Sequence, residues 1–473
     1  MLRRKSIMQY KLIKKERMKK MKKRILALLM ALVMACGVLT GCGGGASESG
    51  GEGTANNSGD KIELSIWCIY TEAAVVKFQE LIDKFNATSD KYHVTVDNAG
   101  SVTQIRQKLV TLQKEDYPAV FMGTNNALYE YSKADYVVPI QQYLDKDEEK
   151  WTDDMIDVVK KSYTDLEGNL IAGVMGVSAK GYFVNVDLLK KAGYTLDDVT
   201  SFEKIAEISQ AAHDKGVCDK AYMAGDGNDI LDMLTYQGVD ILDSDNGFGG
   251  KTTKSLYTEG ETNAALKKLL TLYKGMYDGG CLKKAGFGGG RSPFVNGQAI
   301  FWACTNSYFY LIDGMDLGFE WAFVPHVGVD DNAKFKDDVL VEGTGLFIAN
   351  SGDEEKMQGA YELIKFLSEP EPQLFWCTYR GYLPYTNEAA NSEEWITWRD
   401  ANFPSAQKIS EGMINASSDM KFPYSKVLAS MLNANDSLYG ELELNGASEI
   451  DRLIEEAGAS IDKSIKITNM REQ

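Results

Sequence analysis

Apolar positions along this chain follow two periods, and the places where one gives way to the other mark its elements. Ile62, Leu64 and Ile66 alternate, as a half-buried strand requires. Residues 73–86 carry Val75, Phe78, Leu81, Ile82 and Phe85 at helical spacing. Tyr92, Val94 and Val96 alternate again, and Ile105, Leu109 and Leu112 return to a helical face. Ala119-Val120-Phe121-Met122 is a short apolar strand ending at Gly123. The order β-α-β-α-β predicts an open α/β sheet with right-handed crossovers. Ligands of such sheets gather beyond the carboxyl ends of the strands. Those ends fall at 67–72, 98–103 and 123–126.

The pattern restarts near Ile171-Ala172-Gly173. Gly181-Tyr182-Phe183-Val184 is a strand, and Asp187 caps a short helix that ends at Gly193. Ser201 caps another helix over 202–215. Residues 261–278 are amphipathic, with Leu266, Leu269, Leu270 and Tyr273 inward. Residues 298–302 and 321–324 are strand candidates, with a helix from Asn306 between them, and 345–348 is a further strand. Ser351-Gly352-Asp353-Glu354 is a capping box opening a helix to Leu367, which Pro370 closes. The tail over 425–467 is mostly helical, with Ile450, Leu453, Ile454, Ile461 and Ile465 on one stripe.

One apolar run stands apart from both periods. Twelve Lys and Arg lie between Arg3 and Arg24 against one acid, Glu16, and 25–39 then carries no charge. A basic segment followed by a short apolar one is the pattern of a secretory signal. Its fifteen residues are short of the roughly 20 that span a bilayer. The run ends at Leu39-Thr40-Gly41-Cys42, the form of a bacterial lipoprotein signal, which makes Cys42 the lipid-bearing first residue of the mature chain. An uncleaved anchor helix is the alternative. Residues 43–60 hold Gly, Ser, Ala, Glu and Asn without a large apolar side chain, a flexible tether.

Composition narrows the picture further. The 473 residues exceed what one core usually supports, so two lobes are expected. The net charge is −17 although twelve of the 51 basic residues lie in the leader, so the remainder is more acidic still. Such a surface repels nucleic acid and anionic headgroups alike. Beyond Cys36 and Cys42, five cysteines (Cys68, Cys218, Cys281, Cys304, Cys377) are scattered without C-x-x-C spacing. They are expected as buried free thiols rather than a disulfide framework.

A search for catalytic chemistry returns little. His93, His213 and His326 have no metal-ligand spacing, and no G-x-S-x-G or G-x-x-x-x-G-K-[ST] occurs. Gly286-Phe-Gly-Gly-Gly290 lacks a phosphate-loop register, and Asp243-Ser-Asp245-Asn246-Gly247 departs from a calcium loop in its glycine and twelfth position. No metal or cofactor is therefore expected. Paired carboxylates for glycoside hydrolysis stay open, because acids are abundant. Aromatic and polar residues do collect near strand ends. Trp67, Tyr70, Trp302, Tyr308, Tyr310, Tyr379 and Tyr382 stand among Glu72, Asn125, Asn126, Asp226, Asp229, Asn306, Glu342 and Arg380. Rings suit the C–H faces of a sugar, and carboxylates and amides suit its hydroxyls. Trp302 and Tyr382 are the rings expected to stack on ligand. Arg380 is either a ligand contact or a structural ion pair under a hinge.

Several of these segments, in order, carry a resemblance. Gly181-Tyr-Phe-Val-Asn185-Val-Asp187-Leu-Leu-Lys-Lys-Ala-Gly193-Tyr194 resembles the "YYNKDLFKKAGL" segment of family 1 extracellular solute-binding proteins of ABC importers. Phe294-Val-Asn-Gly297-Gln-Ala-Ile300 resembles that family's "F-x-x-G-x-A-A", and Gly381-Tyr382-Leu383-Pro384 its "GYLP" turn. Trp67 falls where members have a first-strand tryptophan. The group includes maltodextrin- and glycerol-3-phosphate-binding proteins. The resemblance implies two α/β lobes joined by hinge strands, with crossings near 171–173, 341–345 and 381–384. It implies a signal peptide over 1–41, a tether over 42–61, a first lobe of 62–172 plus 342–384, and a second of 173–341 plus 385–473.

The resemblance further implies a non-catalytic, monomeric receptor on the outer face of the cytoplasmic membrane. It would capture a mono- or oligosaccharide between the lobes and hand it to the transmembrane subunits of an ABC permease. The ligand set implied is Trp67, Tyr70, Glu72, Asn125, Asn126, Asp226, Asp229, Trp302, Asn306, Tyr308, Glu342, Arg380 and Tyr382. A cell-surface carbohydrate hydrolase and a sensor lipoprotein are the alternatives. Two departures stand out. Ala172-Gly173-Val174-Met175 replaces a "YGLP" hinge, and Thr305-Asn306-Ser307 replaces a "G-x-W" segment. The stretch 422–429 lacks the arginine that reads phosphate in the glycerol-phosphate subgroup, which points to a neutral carbohydrate.

Overall fold

The computed structural model describes residues 61–471, apart from Thr71, Glu72 and Phe287. The expected leader, Cys42, the tether up to residue 60 and Glu72 lie outside the described residues. The chain opens with β1 (Ile62–Cys68), α1 (Ala73–Thr88), β2 (Tyr92–Asn98), α2 (Val102–Leu109) and β3 (Val120–Thr124). Leu64, Ile66 and Cys68 are buried on β1 while the residues between them are not, the alternation of a strand with one core face. Phe78, Leu81, Ile82 and Phe85 form the buried stripe of α1. A short β4 (Val137–Val138) and then β5 (Gly173–Ser178) follow.

The second sheet begins at β6 (Lys180–Asn185), which leads into α3 (Val186–Ala192), α4 (Phe202–Asp214), β7 (Tyr222–Ala224) and α5 (Asn228–Gln237). Then come α6 (Gly260–Asp278), β8 (Leu282–Lys284), β9 (Phe301–Thr305) and β10 (Trp321–Pro325). The chain returns to the first sheet through β11 (Glu342–Ala349), then runs through α7 (Glu354–Leu367) and α8 (Pro370–Arg380). Two long helices, α9 (Leu428–Leu444) and α10 (Ile450–Arg471), end it. The first sheet has the order β2-β1-β3-β11-β4 with β5 also on β11, and the second β10-β6-β9-β7-β8. β1 is parallel to β2 and β3, whereas β11 runs antiparallel to β3, β4 and β5. The result is a two-lobe α/β protein with one open sheet in each lobe.

Several boundaries differ from expectation, each for a local reason. The first passage between sheets was expected at 171–173, but it falls at Ala179. All six residues of β5 are buried, and all but Met175, at a bulge, pair with β11 from Glu342 to Leu346, so this strand completes the first sheet. Such a strand shows no alternation to read. The first cap of α3 is Asn185, which accepts from Leu188 N–H, rather than Asp187 in the first turn. Asp353, not Ser351, caps α7, accepting from the N–H groups of Glu355 and Lys356. Pro370 starts α8 instead of merely closing α7, because proline lacks only an N–H that a first turn leaves unused. β9 lies three residues beyond the expected 298–302. The five cysteines of the described residues are free, with four buried and Cys218 half-buried.

The second sheet has two buried faces. Tyr182 and Val184 of β6 and Phe301 and Ala303 of β9 point into a core shared with α4, α6, α9 and α10. Phe183, Trp302, Cys304 and Phe323 point the other way, into a core continuous with that of the first sheet. The side of the second sheet nearer the first is therefore packed with aromatics, and polar groups reach the interlobe space only at strand ends.

Candidate functional site

Three chain passages join the lobes, and the site is built on them. At the first, Asn306 is fully buried. Its Oδ1 accepts from Ala179 N–H at 2.6 Å and its Nδ2 donates to Gly381 O at 2.5 Å. One amide thus ties the β5–β6 passage to the turn after α8. At the second, Asn125 brackets the start of β11. Its Nδ2 donates to Val341 O at 2.9 Å and its Oδ1 accepts from Gly343 N–H at 3.1 Å. At the third, Leu383 N–H donates to Val177 O at 2.9 Å. Gly381 ends α8 in the left-handed conformation, φ 74°, which sends Arg380 and Tyr382 to one place on opposite sides of the turn. Gly176 stands against the Tyr382 ring, where a Cβ would come within 2.4 Å of it.

Between these passages lies a cavity of about 300 Å³. From the first sheet it is lined by Tyr70, Asn125, Asn126, Ser178, Glu342, Gly343 and Thr344, from the second by Thr305, Ser307, Tyr308 and Tyr310, and from the turn by Arg380 and Tyr382. Seven of the residues singled out from sequence as ligand contacts meet here: Tyr70, Asn125, Asn126, Tyr308, Glu342, Arg380 and Tyr382. Thr344 Oγ1 and Tyr382 Oη lie 3.2 Å apart, so these two hydroxyls orient each other. Burial pushes the Tyr308 hydroxyl up to about 12.

The other candidates are elsewhere. Trp302 is fully buried, stacked between Phe183 at 5.2 Å and Tyr308 at 5.9 Å. Its ring backs the cleft tyrosine and does not line the cavity. Trp67 lies under the Lys108 ammonium, 5.5 Å from its ring centre, away from the cavity lining. Asp226 accepts from Asn228 N–H in the turn before α5. Asp229 is buried in α5. Asn306 is a fastening between lobes, as described above. Ser178, Thr305, Ser307 and Thr344 line the cavity but are not singled out by the sequence as ligand contacts. Tyr310 belongs to the strand-end aromatics but not to the implied ligand set, and it lines the cavity two residues from Tyr308 in a tight turn that presents both.

Glu342 leads away from the cavity into a charged cluster. It accepts from Asn126 Nδ2 at 2.9 Å and lies 3.4 Å from Lys180 Nζ, which is 3.1 Å from Asp232. His326 Nδ1 is 3.4 Å from the same Asp232 carboxylate, and its Nε2 is 4.0 Å from Asp229. Burial raises Glu342 above the ordinary carboxylate range against the pull of Lys180. Burial also holds Asp229 well above that range, with Asp226 adding to the effect. For Asp232 burial is the largest influence and acts upward too, but Lys180 and His326 together outweigh it and the group is lowered. Asp229, Asp232 and His326 present ligand atoms within 4.8 Å of one another, a spacing that suits a cation. Lys180 already supplies a positive charge there.

A second cavity, of about 520 Å³, shares Asn125 and Asn126 with the first. Its walls are mainly apolar, from Leu128, Val158, Phe248, Leu340, Ile414 and Phe422 among others. Ser162, Thr164, Ser417, Ser418 and Tyr424 add hydroxyls, but no residue of the second sheet or of the turn after α8 lines it.

Two open α/β sheets, three crossings and a cavity lined from both sheets define a two-lobe binding protein. The sequence profile of bacterial extracellular solute-binding proteins matches residues 80–404. The chain belongs to this family. Among curated relatives, the sn-glycerol-3-phosphate-binding periplasmic protein UgpB of Yersinia enterocolitica is 25% identical over 378 residues, covering 77% of this chain and 83% of that protein. Among solved structures, the sugar-binding protein MalE of Xanthomonas citri superposes with a TM-score of 0.66 at 20% identity, covering 87% of this chain and 100% of that one. UgpB of Mycobacterium tuberculosis in complex with glycerophosphocholine gives 0.66 at 17% identity, covering 87% and 99%. At these identities the structural likeness establishes the fold.

Proposed function

We propose that this protein is a receptor that captures a small carbohydrate or polyol in the interlobe cavity and delivers it to an ABC permease. The observation that carries this reading is the cavity lining. Tyr70, Tyr308, Tyr310 and Tyr382 offer ring faces, and Ser178, Thr305, Ser307 and Thr344 offer hydroxyls, from both lobes. Contacts from both lobes let a ligand favour one lobe arrangement over another, the population shift by which such receptors signal. The relatives named for sugars and for glycerol phosphate support the same class of ligand.

The ligand set is the described cavity lining, with Glu72 of the sequence-derived set retained as a candidate. The lobes divide at Ala179 rather than at residue 172. The leader over 1–41 acts as a lipoprotein signal, Cys42 carries the lipid, and the tether holds a monomeric receptor near its permease at raised effective concentration. The receptor is a binding protein rather than an enzyme, in keeping with the solute-binding family to which the chain belongs.

Calorimetric titration with a panel of sugars and polyols, run beside a product assay, tests the reading. Saturable binding without turnover is expected. Turnover that a Glu342→Gln change abolishes would replace the receptor with a hydrolase. Replacing Cys42 with Ser should release the protein into the medium, and continued membrane attachment would restore the anchor-helix alternative.

A further inference from the structure

Arg380 lines the cavity but is only 7% exposed. A buried guanidinium ordinarily faces a carboxylate, because an uncompensated buried charge is costly. Among the described residues no carboxylate pairs with it, and its Nε is buried without a hydrogen-bond partner. What surrounds it is aromatic. Its Cζ lies 4.1 Å from the Tyr310 ring centre, 5.3 Å from Tyr70 and 5.5 Å from Tyr382. Three ring faces stabilise the charge without neutralising it. The C-terminal end of α8, where Arg380 is the last residue, adds a favourable dipole. Apart from a hydrogen bond to the Tyr382 side chain, the fold holds this cation in place without a counter-ion and leaves Nε without a partner.

Several hydroxyls of the same cavity can donate to an anion. Ser178 and Ser307 bring hydroxyls into the lining, and Thr305 Oγ1, which accepts from Ser307 N–H, has its own proton to give. The carboxylate of the cavity, Glu342, is engaged by Lys180 and Asn126. A planar guanidinium with hydroxyl donors around it matches the geometry of a phosphoryl or carboxylate group. A volume of about 300 Å³ lies at the small end of ligand sites.

Building on the receptor reading above, we propose that the ligand is a small polyhydroxylated molecule bearing one oxyanion, phosphoryl or carboxylate, and that Arg380 binds that group. The expectation of a neutral carbohydrate, drawn from the missing arginine at 422–429, then fails because the arginine enters from a different element. An oxyanion on an acidic protein gains nothing from the overall field, so selectivity would rest on this one residue and its hydroxyl neighbours.

Matched pairs test it on the full-length protein: sn-glycerol 3-phosphate against glycerol, glucose 6-phosphate against glucose, and glucuronate against glucose, each by calorimetry. At least one charged member should bind tenfold or more tighter than its neutral parent. Arg380→Gln should reduce that advantage by about tenfold to a hundredfold, the range of a charge-assisted hydrogen bond. Arg380→Lys should keep part of it. The phosphate and carboxylate arms identify which oxyanion is meant. If every neutral parent binds as tightly as its charged partner, this proposal fails and the receptor reading stands. If no member of any pair binds, both fall. The wild-type ratios decide the matter even where Arg380→Gln does not fold.

Discussion

Two buried cations sit on either side of the same cleft, and the protein treats them oppositely. Lys180 has Asp232 at 3.1 Å, Glu342 at 3.4 Å and further acids beyond. Its charge is spent inside the fold. Arg380 has three tyrosine rings and no acid partner among the described residues. The position of each in the chain explains the contrast. Lys180 is the first residue after the passage between sheets, so its ammonium can join the second-lobe helix α5 to the hinge strand β11. Arg380 ends a helix at the edge of the cavity. A cation matched by the fold is a fastening, while one left unmatched beside a cavity is a binding group.

That contrast can be broken at several points. The largest effect should come from Lys180→Ala, which leaves Asp232 and Glu342 buried without their counter-ion. A loss of about 3–5 kcal/mol in urea unfolding is expected, and a loss under 1 kcal/mol would mean the cluster is not a fastening. Trp302→Ala should cost a similar ~3–5 kcal/mol through the cavity it leaves, with ligand affinity nearly retained well below the melting temperature. This reverses the sequence expectation that Trp302 stacks on ligand. Asn306→Ala removes hydrogen bonds to two separate passages, and a buried partner left unpaired costs about 1–3 kcal/mol. Its readout is both stability and the interlobe distance distribution from paired spin labels.

The smallest effect is on pH dependence. Burial, reinforced by Asp226, holds Asp229 above the usual carboxylate range, while Lys180 opposes the rise. The folded state therefore keeps a proton that the unfolded chain releases near about pH 4. Stability from this group is fully present below that pH and declines as pH rises towards the folded-state value. Asp232 and His326 face the same space. Asp229→Asn should flatten that part of the stability profile, and an unchanged slope would point to another group.

Much of this architecture was legible because alternation and helical stripes report one buried face. β1, α1 and β2 follow the positions that Ile62, Phe78 and Tyr92 begin or anchor. β5 is not legible in the sequence because a strand buried on both sides has no period. The site was harder. An aromatic near a strand end reads alike whether its ring turns to the cleft, as in Tyr308, or to the core, as in Trp302. Only the register of β6 on β9, which sets Phe183 opposite Trp302, separates them. Ser178 and Thr344 carry no signal as single hydroxyls. The pairing of β5 with β11, which sets Ser178 opposite Glu342 and Thr344 opposite Gly176, brings them to one cavity, and no local pattern encodes such a contact between distant segments.

Hydrogen–deuterium exchange on the protein saturated with its tightest-binding sugar or polyol tests the central claim most directly. Amides over 124–126 and 342–344 of the first lobe should slow together with those over 305–311 of the second and 380–382 of the turn. Slowing confined to one lobe, or to 414–424 along the larger apolar cavity, would place the ligand elsewhere and contradict this account.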